Sequence, residues 1–382
     1  MPVQSPLSWR AVAASLGGGD ARETIARRLS VLYAMSRAVL TDCGTSALAV
    51  ALRAAADRRA GYCLLPAYGC YDLATAALAA GVRVAFYDIE PTTLAPRMET
   101  LVPRLGNGCA ALVIVHHYGL VTDLDEIRRL ASAAGVALIE DAAQAAGSFW
   151  AGERAGKRAD AVVLSFGRGK GVTGGGGGAL LIGNTSIGAE LGALIPALPE
   201  RVEGRAMFAA KLAVQHLFAR PGVYGIPASI PMLRLGETVF REPALPSTMT
   251  RQAAGVLTHT LGTMDEDAER RRTIADQLRA SQAGAKSPWM IVQDSRSRPG
   301  WLRLPVLVQG SGVVDAGEAS RLGIAPGYPR PLPTLSQLHE RVEGRDDFSG
   351  AQSLCERLWT LPTHAALESD DTHRLIQWLD RR

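Results

Sequence analysis

Seven short apolar runs restrict what this chain can fold into more than any other feature. They are residues 38–41, 62–65, 82–87, 110–115, 136–139, 161–164 and 179–182. Helices are predicted over 46–56, 71–80, about 97–105 and 124–134, between the first five runs. Each run is short for a helix and too uniformly apolar for a strand with one wet face. Such runs alternating with helices build parallel crossovers, with both faces of the sheet covered. Only a loop separates the last two runs, so one of that pair runs antiparallel. The fold class is therefore α/β, with a large, mostly parallel seven-stranded sheet.

The pattern changes on either side of this region. Residues 1–35 read as a helical lead-in. Residues 202–219 read as a helix with a broad apolar face, Met207, Phe208, Leu212, Val214, Leu217 and Phe218, and 221–240 continue that surface through prolines. Two readings stand for it: packing on the large domain or a partner subunit, or an apolar flap docking on a membrane surface. A long helix from about 250 to 282 then opens a smaller α+β part with a strand near 301–308 and two closing helices. The expected domains are 1–245 and 246–382.

Composition excludes several function classes. With 382 residues, 47% hydrophobic and 20% charged, the chain is globular, and a formal charge of +4 without a basic block gives no nucleic-acid footprint. No run reaches the roughly 18 apolar residues of a membrane span. Cys43, Cys63, Cys70, Cys109 and Cys355 show neither CxxC spacing nor a companion histidine cluster. They read as reduced thiols, which fits a cytoplasmic protein without a metal site.

Three places carry chemistry. Ser165-Phe166-Gly167-Arg168-Gly169-Lys170 follows a strand and precedes the glycine run Gly174–Gly178, so Lys170 stands beside backbone stripped of side chains. A primary amine there suits a Schiff base with a flat aldehyde cofactor; a glycine-rich hairpin with a solvated lysine is the rival reading. Cys43-Gly44-Thr45-Ser46 closes the first strand and opens a helix, which makes either an anion site or an ordinary N-cap. Glu140-Asp141-Ala142-Ala143-Gln144 ends a central strand, where open α/β sheets bind ligands; there too Asp141 has a helix-cap alternative. His216 and His259 read as ordinary helix histidines, and Asp123 and Asp125 as helix caps.

In order along the chain these pieces resemble the fold-type I pyridoxal-phosphate enzymes, and more narrowly the DegT/DnrJ/EryC1/StrS aminotransferase family. The resemblance rests on Gly44-Thr45-Ser46-Ala47-Leu48, Leu65-Pro66-Ala67-Tyr68, Tyr87-Asp88-Ile89, Val115-His116-His117-Tyr118-Gly119, Glu140-Asp141-Ala142-Ala143-Gln144, Ser165-Phe166 and Gly169-Lys170. Met249-Thr250 and Leu361-Pro362-Thr363-His364 continue it downstream. It implies pyridoxal 5'-phosphate on Lys170, which also moves the proton, with Asp141 on the pyridine nitrogen and Gln144 near the ring oxygen. Gly44, Thr45 and Ser165, with Ser46 as a further hydroxyl, would hold the phosphate.

The sequence departs from the family at three places. Cys70 stands where an aromatic residue commonly stacks on the ring, with Tyr68 and Tyr71 as the nearby substitutes. Pro246-Ser247-Thr248 replaces an asparagine that a partner subunit gives to the phosphate, and the glycine run lacks the family's acidic residue. These changes bear on the acceptor rather than on the cofactor chemistry. The resemblance implies a homodimeric aminotransferase that moves nitrogen from an amino-acid donor, usually glutamate, to a keto group of a sugar or sugar-like acceptor. The alternatives are dehydration or a retro-aldol step on a non-sugar or lipid-linked substrate, and a non-catalytic regulator of the same fold.

Overall fold

The computed structural model describes residues 3–4, 6–106, 108–218, 238–282, 290–308, 315–344 and 346–381. All seven apolar runs are strands of one sheet. In chain order these are β1 (Arg37–Thr41), β2 (Tyr62–Pro66), β3 (Arg83–Tyr87), β4 (Cys109–Val115) and β5 (Ala137–Asp141). After a small hairpin of β6 (Phe149–Trp150) and β7 (Glu153–Arg154) come β8 (Ala161–Ser165) and β9 (Gly178–Ile182). The spatial order is β1-β9-β8-β5-β4-β2-β3. β3, β2, β4, β5 and β8 run parallel, while β9 is antiparallel to both β8 and β1.

This order decides where a ligand goes. From β5 the chain builds one way to β4, β2 and β3 and the other way to β8, β9 and β1, so Val115, Asp141 and Ser165 end three adjacent strands at one edge. The crevice beyond such carboxyl ends is where open α/β sheets bind ligands. Every residue of β4 is buried, as a central strand requires. The helix Gly44–Arg58 lies against this sheet with ten residues buried, six of them alanine or glycine, so its backbone approaches the strands closely.

β10 (Leu304–Leu307), β12 (Leu358–Leu361) and β11 (Ala325–Pro326) form a separate, smaller sheet. One tie between this C-terminal part of the chain and the large sheet is electrostatic. The Asp88 carboxylate accepts from the N–H groups of Gly350 and Ala351, both at 2.8 Å, at the start of the helix Ser349–Arg357, and pairs with Arg97 at 3.1 Å. A carboxylate there meets the positive end of the helix dipole. A side chain at Gly350 would collide with the Ile89 carbonyl.

Two expectations change. The helix foreseen over 250–282 is two helices, Arg251–Thr260 and Met264–Ala280, broken around Gly262. The first lies beside the glycine-rich loop, where Thr260 donates to the Thr173 carbonyl at 2.7 Å. The apolar face of Arg205–Phe218 is split. Phe208 and Leu212 are buried against Gly175, whereas Met207, Val214 and Leu217 are exposed. Residues 221–237 of the expected apolar continuation lie outside the described residues. Among the described residues no helix is long and apolar enough to cross a membrane.

Candidate active site

β5 delivers Asp141 to the sheet edge. One carboxylate oxygen, Oδ1, accepts from the Ala143 N–H at 2.9 Å; Oδ2 has no hydrogen bond among the described residues. Burial holds this carboxyl above its ordinary value, against the lowering pull of the Ala143 N–H and of the Lys170 and His116 charges. Behind it, His116 and Glu140 form a fully buried pair at 2.8 Å, and Glu140 also accepts from Gly156 N–H at 2.7 Å. The Glu140 carboxylate is thereby committed to structure, which leaves Asp141 as the available acid of the motif.

β8 delivers Ser165, and the chain then turns through Gly167 and Lys170 before returning as the glycine run. Phe166 anchors the turn: its N–H donates to the Gly177 carbonyl and its carbonyl accepts from the Gly174 N–H, both at 2.8 Å. Gly175 and Gly177 have positive φ, and a Cβ at Gly177 would lie 2.8 Å from Met249. The run is glycine because the lysine loop folds tightly against its neighbours.

The start of helix Gly44–Arg58 faces Ser165. A Cβ at Gly44 would lie 2.7 Å from the Ser165 Cβ, so only glycine lets the helix end and the strand end meet. The N-cap is Cys43, whose Sγ accepts from the Ser46 N–H at 3.4 Å, and the Ser46 hydroxyl lies 3.2 Å from the same sulfur. Ser46 thus belongs to the cap. The Thr45 hydroxyl makes no hydrogen bond among the described residues and stands on the wall of the site.

One cavity gathers these groups: Gly44, Thr45, Cys70, Asp141, Gln144, Ser165 and Lys170 all line it. Three sequence-predicted residues do not. Ser46 is turned to its cap. Tyr68 is fully buried a layer behind, its hydroxyl 3.0 Å from that of Tyr118 and accepting from the Tyr328 N–H at 3.2 Å. Tyr71, the residue before helix Asp72–Ala80, is buried away from the cavity. Of the three candidates for a cofactor ring to lie on, Cys70 lines the wall and neither tyrosine does; the Cys70 thiol is pushed up to about 12 by burial.

The tyrosine that does line the cavity is Tyr328, from the C-terminal part of the chain. Its hydroxyl accepts from Gln144 Nε2 at 2.8 Å, while Gln144 Oε1 accepts from the Tyr118 N–H at 2.7 Å. Tyr118 sits at φ 56°, a left-handed conformation costly for a tyrosine, and its neighbour Gly119 lies where a Cβ would come within 2.9 Å of Trp301 N. Asp72 also lines the cavity, beside the Cys70 thiol. Sequence reasoning missed both. Tyr328 lies in a proline-rich turn without periodicity, and an acid opening a helix is ordinary there.

The residues fit a flat anionic cofactor bearing an aldehyde and a basic ring nitrogen. Lys170 Nζ and the Thr45 and Ser165 hydroxyls make no hydrogen bond among the described residues, and Asp141 Oδ2 is open in the same cavity. An amine, an anion cradle at a helix N-terminus and a carboxylate for a ring N–H are the donor set such a molecule needs. Among the described residues no group of three or more His, Cys, Asp or Glu side chains could hold a metal ion.

Comparison with known proteins agrees with this geometry. The chain is 26% identical over 289 residues to the L-glutamine:2-deoxy-scyllo-inosose aminotransferase of Streptomyces fradiae, covering 72% of this chain and 63% of that protein. It is 29% identical over 164 residues to the 3-amino-5-hydroxybenzoate synthase of Amycolatopsis mediterranei, covering 43% and 42%. The alignments span less than two thirds of these curated relatives' own length. In structure the chain is similar to the sugar aminotransferase CalS13 of Micromonospora echinospora, with TM-score 0.77, 20% identity and coverage of 100% and 99%. The PLP-form of the sugar aminotransferase Spr1654 of Streptococcus pneumoniae gives TM-score 0.76 at 18% identity, covering 100% and 98%. Those two likenesses speak to the fold. The family model of the DegT/DnrJ/EryC1/StrS aminotransferases matches residues 10–380, and the chain belongs to that family.

Proposed function

We propose that this protein is a pyridoxal-phosphate-dependent aminotransferase that moves an amino group from an amino-acid donor to the keto group of a sugar or sugar-like ring. The observation that carries it is the single cavity holding Lys170, Asp141 and the Gly44–Ser165 cradle. Pyridoxal phosphate, when bound, supplies an aldehyde carbon for amines and a ring that withdraws electrons from the carbon losing its proton. Gly44 and Thr45 at the helix N-terminus, with the Thr45 and Ser165 hydroxyls, would bind the phosphate. Asp141 would hold a proton on the ring nitrogen. Lys170 Nζ would accept the proton that the donor's α-carbon loses and carry it as the reaction's acid and base. Gln144, bonded to Tyr118 and Tyr328, keeps Tyr328 on the cavity wall.

The names of both curated relatives support a compact cyclic acceptor, and that of the inosose aminotransferase gives glutamine as the donor where the sequence resemblance implied glutamate. Both belong in the test. Purified protein supplied with the cofactor, ¹⁵N-labelled glutamate or glutamine, and cyclic or nucleotide-linked keto sugars should place label on one acceptor class, read by mass spectrometry. Loss of water from the acceptor without label would overturn amino transfer. We infer further a cytoplasmic homodimer. The five free cysteines and the exposed Met207, Val214 and Leu217 support that reading, and sedimentation velocity tests the dimer.

A further inference from the structure

Helix Met264–Ala280 carries Arg270, Arg271 and Arg272 in succession, and the last two are buried, at 6% and 7% exposure. Their partners differ. Arg272 pairs with Glu269 at 2.6 Å and donates to the Gly147 and Pro299 carbonyls at 2.9 and 3.1 Å. Among the described residues Arg271 makes no hydrogen bond to a carboxylate: Nε donates to the Gly300 carbonyl at 2.7 Å and Nη2 to the Ala146 carbonyl at 3.0 Å. The nearby Asp267 directs its oxygens to Thr263 at 2.8 Å and Arg270 at 3.4 Å. A buried guanidinium held by carbonyls is costly to keep out of water. Burial brings Arg271 down to about 10, still charged at neutral pH.

What Arg271 touches gives that charge a use. Ala146 lies two residues past Gln144, on the loop leaving Asp141. Gly300 N–H donates to the Gly119 carbonyl at 3.2 Å, on the loop leaving β4. Gly171 follows Lys170 directly, and a Cβ there would lie 2.9 Å from the Ala146 Cβ and 3.1 Å from Arg271 Nη2. One side chain therefore lies against the lysine loop, holds the loop leaving Asp141 and reaches the loop leaving β4 through Gly300. A glycine-rich loop is conformationally free unless something fixes it, and an amine must be held to within a fraction of an ångström to react well.

We propose that Arg271 is a positioning residue for Lys170, seating the lysine loop against the Asp141 loop through Gly171. This rests on the reading of Lys170 as the cofactor-bearing amine. Arg272 supplies an internal control, because it is equally buried and binds the adjacent carbonyls.

The test is capture of added pyridoxal phosphate by cofactor-free protein, trapped with borohydride and mapped to Lys170 by peptide mass. Thermal unfolding and the rate of the amine half-reaction are followed in parallel. Arg271→Met and Gly171→Ala should each slow capture about 10-fold, Arg271→Lys should recover part of the loss, and the double variant should be no slower than the worse single one. Arg272→Met should lower the unfolding temperature and leave capture unchanged. Wild-type capture by Arg271→Met, or equal slowing by Arg272→Met, overturns the proposal. If Arg271→Met does not fold, Arg271→Lys and Gly171→Ala decide it: wild-type capture in both overturns it. Absence of capture at Lys170 in the unaltered protein overturns the proposed function instead.

Discussion

Asp141 is the residue on which the chemistry turns, and its environment gives two predictions. Asp141→Asn keeps the shape but cannot hold a proton on a ring nitrogen, so proton abstraction should slow by about 100-fold, on the order of 3 kcal/mol. Single-turnover rates check this, with cofactor still bound. In the ligand-free protein the sign reverses. A carboxyl whose folded value is raised above the unfolded 3.8 weakens the fold as pH rises past 3.8, so Asp141→Asn should raise the unfolding temperature at neutral pH. That gain should vanish as the pH approaches 3.8. His117 is the opposite case: it is buried, neither ring nitrogen has a hydrogen bond, and its value is lowered to about 3. Its contribution is whole above the unfolded value near 6.5 and falls by about 1.4 kcal/mol per unit as the pH drops below that. His117→Phe should remove that acid limb and stabilise the fold by about 1–2 kcal/mol, measured by denaturant unfolding.

At the scale of elements, the site is made where a helix start meets strand ends, and Gly44 is the joint. Gly44→Ala places a Cβ 2.7 Å from Ser165 and must push the helix from the strand, so cofactor affinity should fall at least about 10-fold by equilibrium titration while the fold persists. The elements themselves were legible in the sequence. Uniformly apolar runs between helices could only be buried parallel strands, and Lys170, Asp141, Gly44, Thr45 and Ser165 stand at ends whose order the chain prescribes. The rest required long-range partners. Tyr328 reaches the cavity through Gln144, 184 residues away in the chain. The burial of Tyr68 a layer behind the cavity depends on Tyr118 and Tyr328, neither of them local in sequence. The break at Gly262 was hidden because apolar residues keep helical spacing across it, Leu257 and Leu261 before and Met264 and Ala268 after.

At the scale of the whole molecule, distant parts of the chain meet around one cavity: Asp88 holds the start of the helix Ser349–Arg357 on one flank, and Gln144 binds Tyr328 at the wall. The central claim is that this cavity holds pyridoxal phosphate on Lys170 for amino transfer, and one measurement tests it most directly. Protein loaded with cofactor is reduced with borohydride, digested and mapped by mass spectrometry, alongside ¹⁵N transfer by the unreduced sample. The account predicts a single phosphopyridoxyl-modified lysine at Lys170, loss of transfer on reduction, and neither signal in Lys170→Ala. A modified lysine elsewhere, or undiminished transfer by Lys170→Ala, would contradict it.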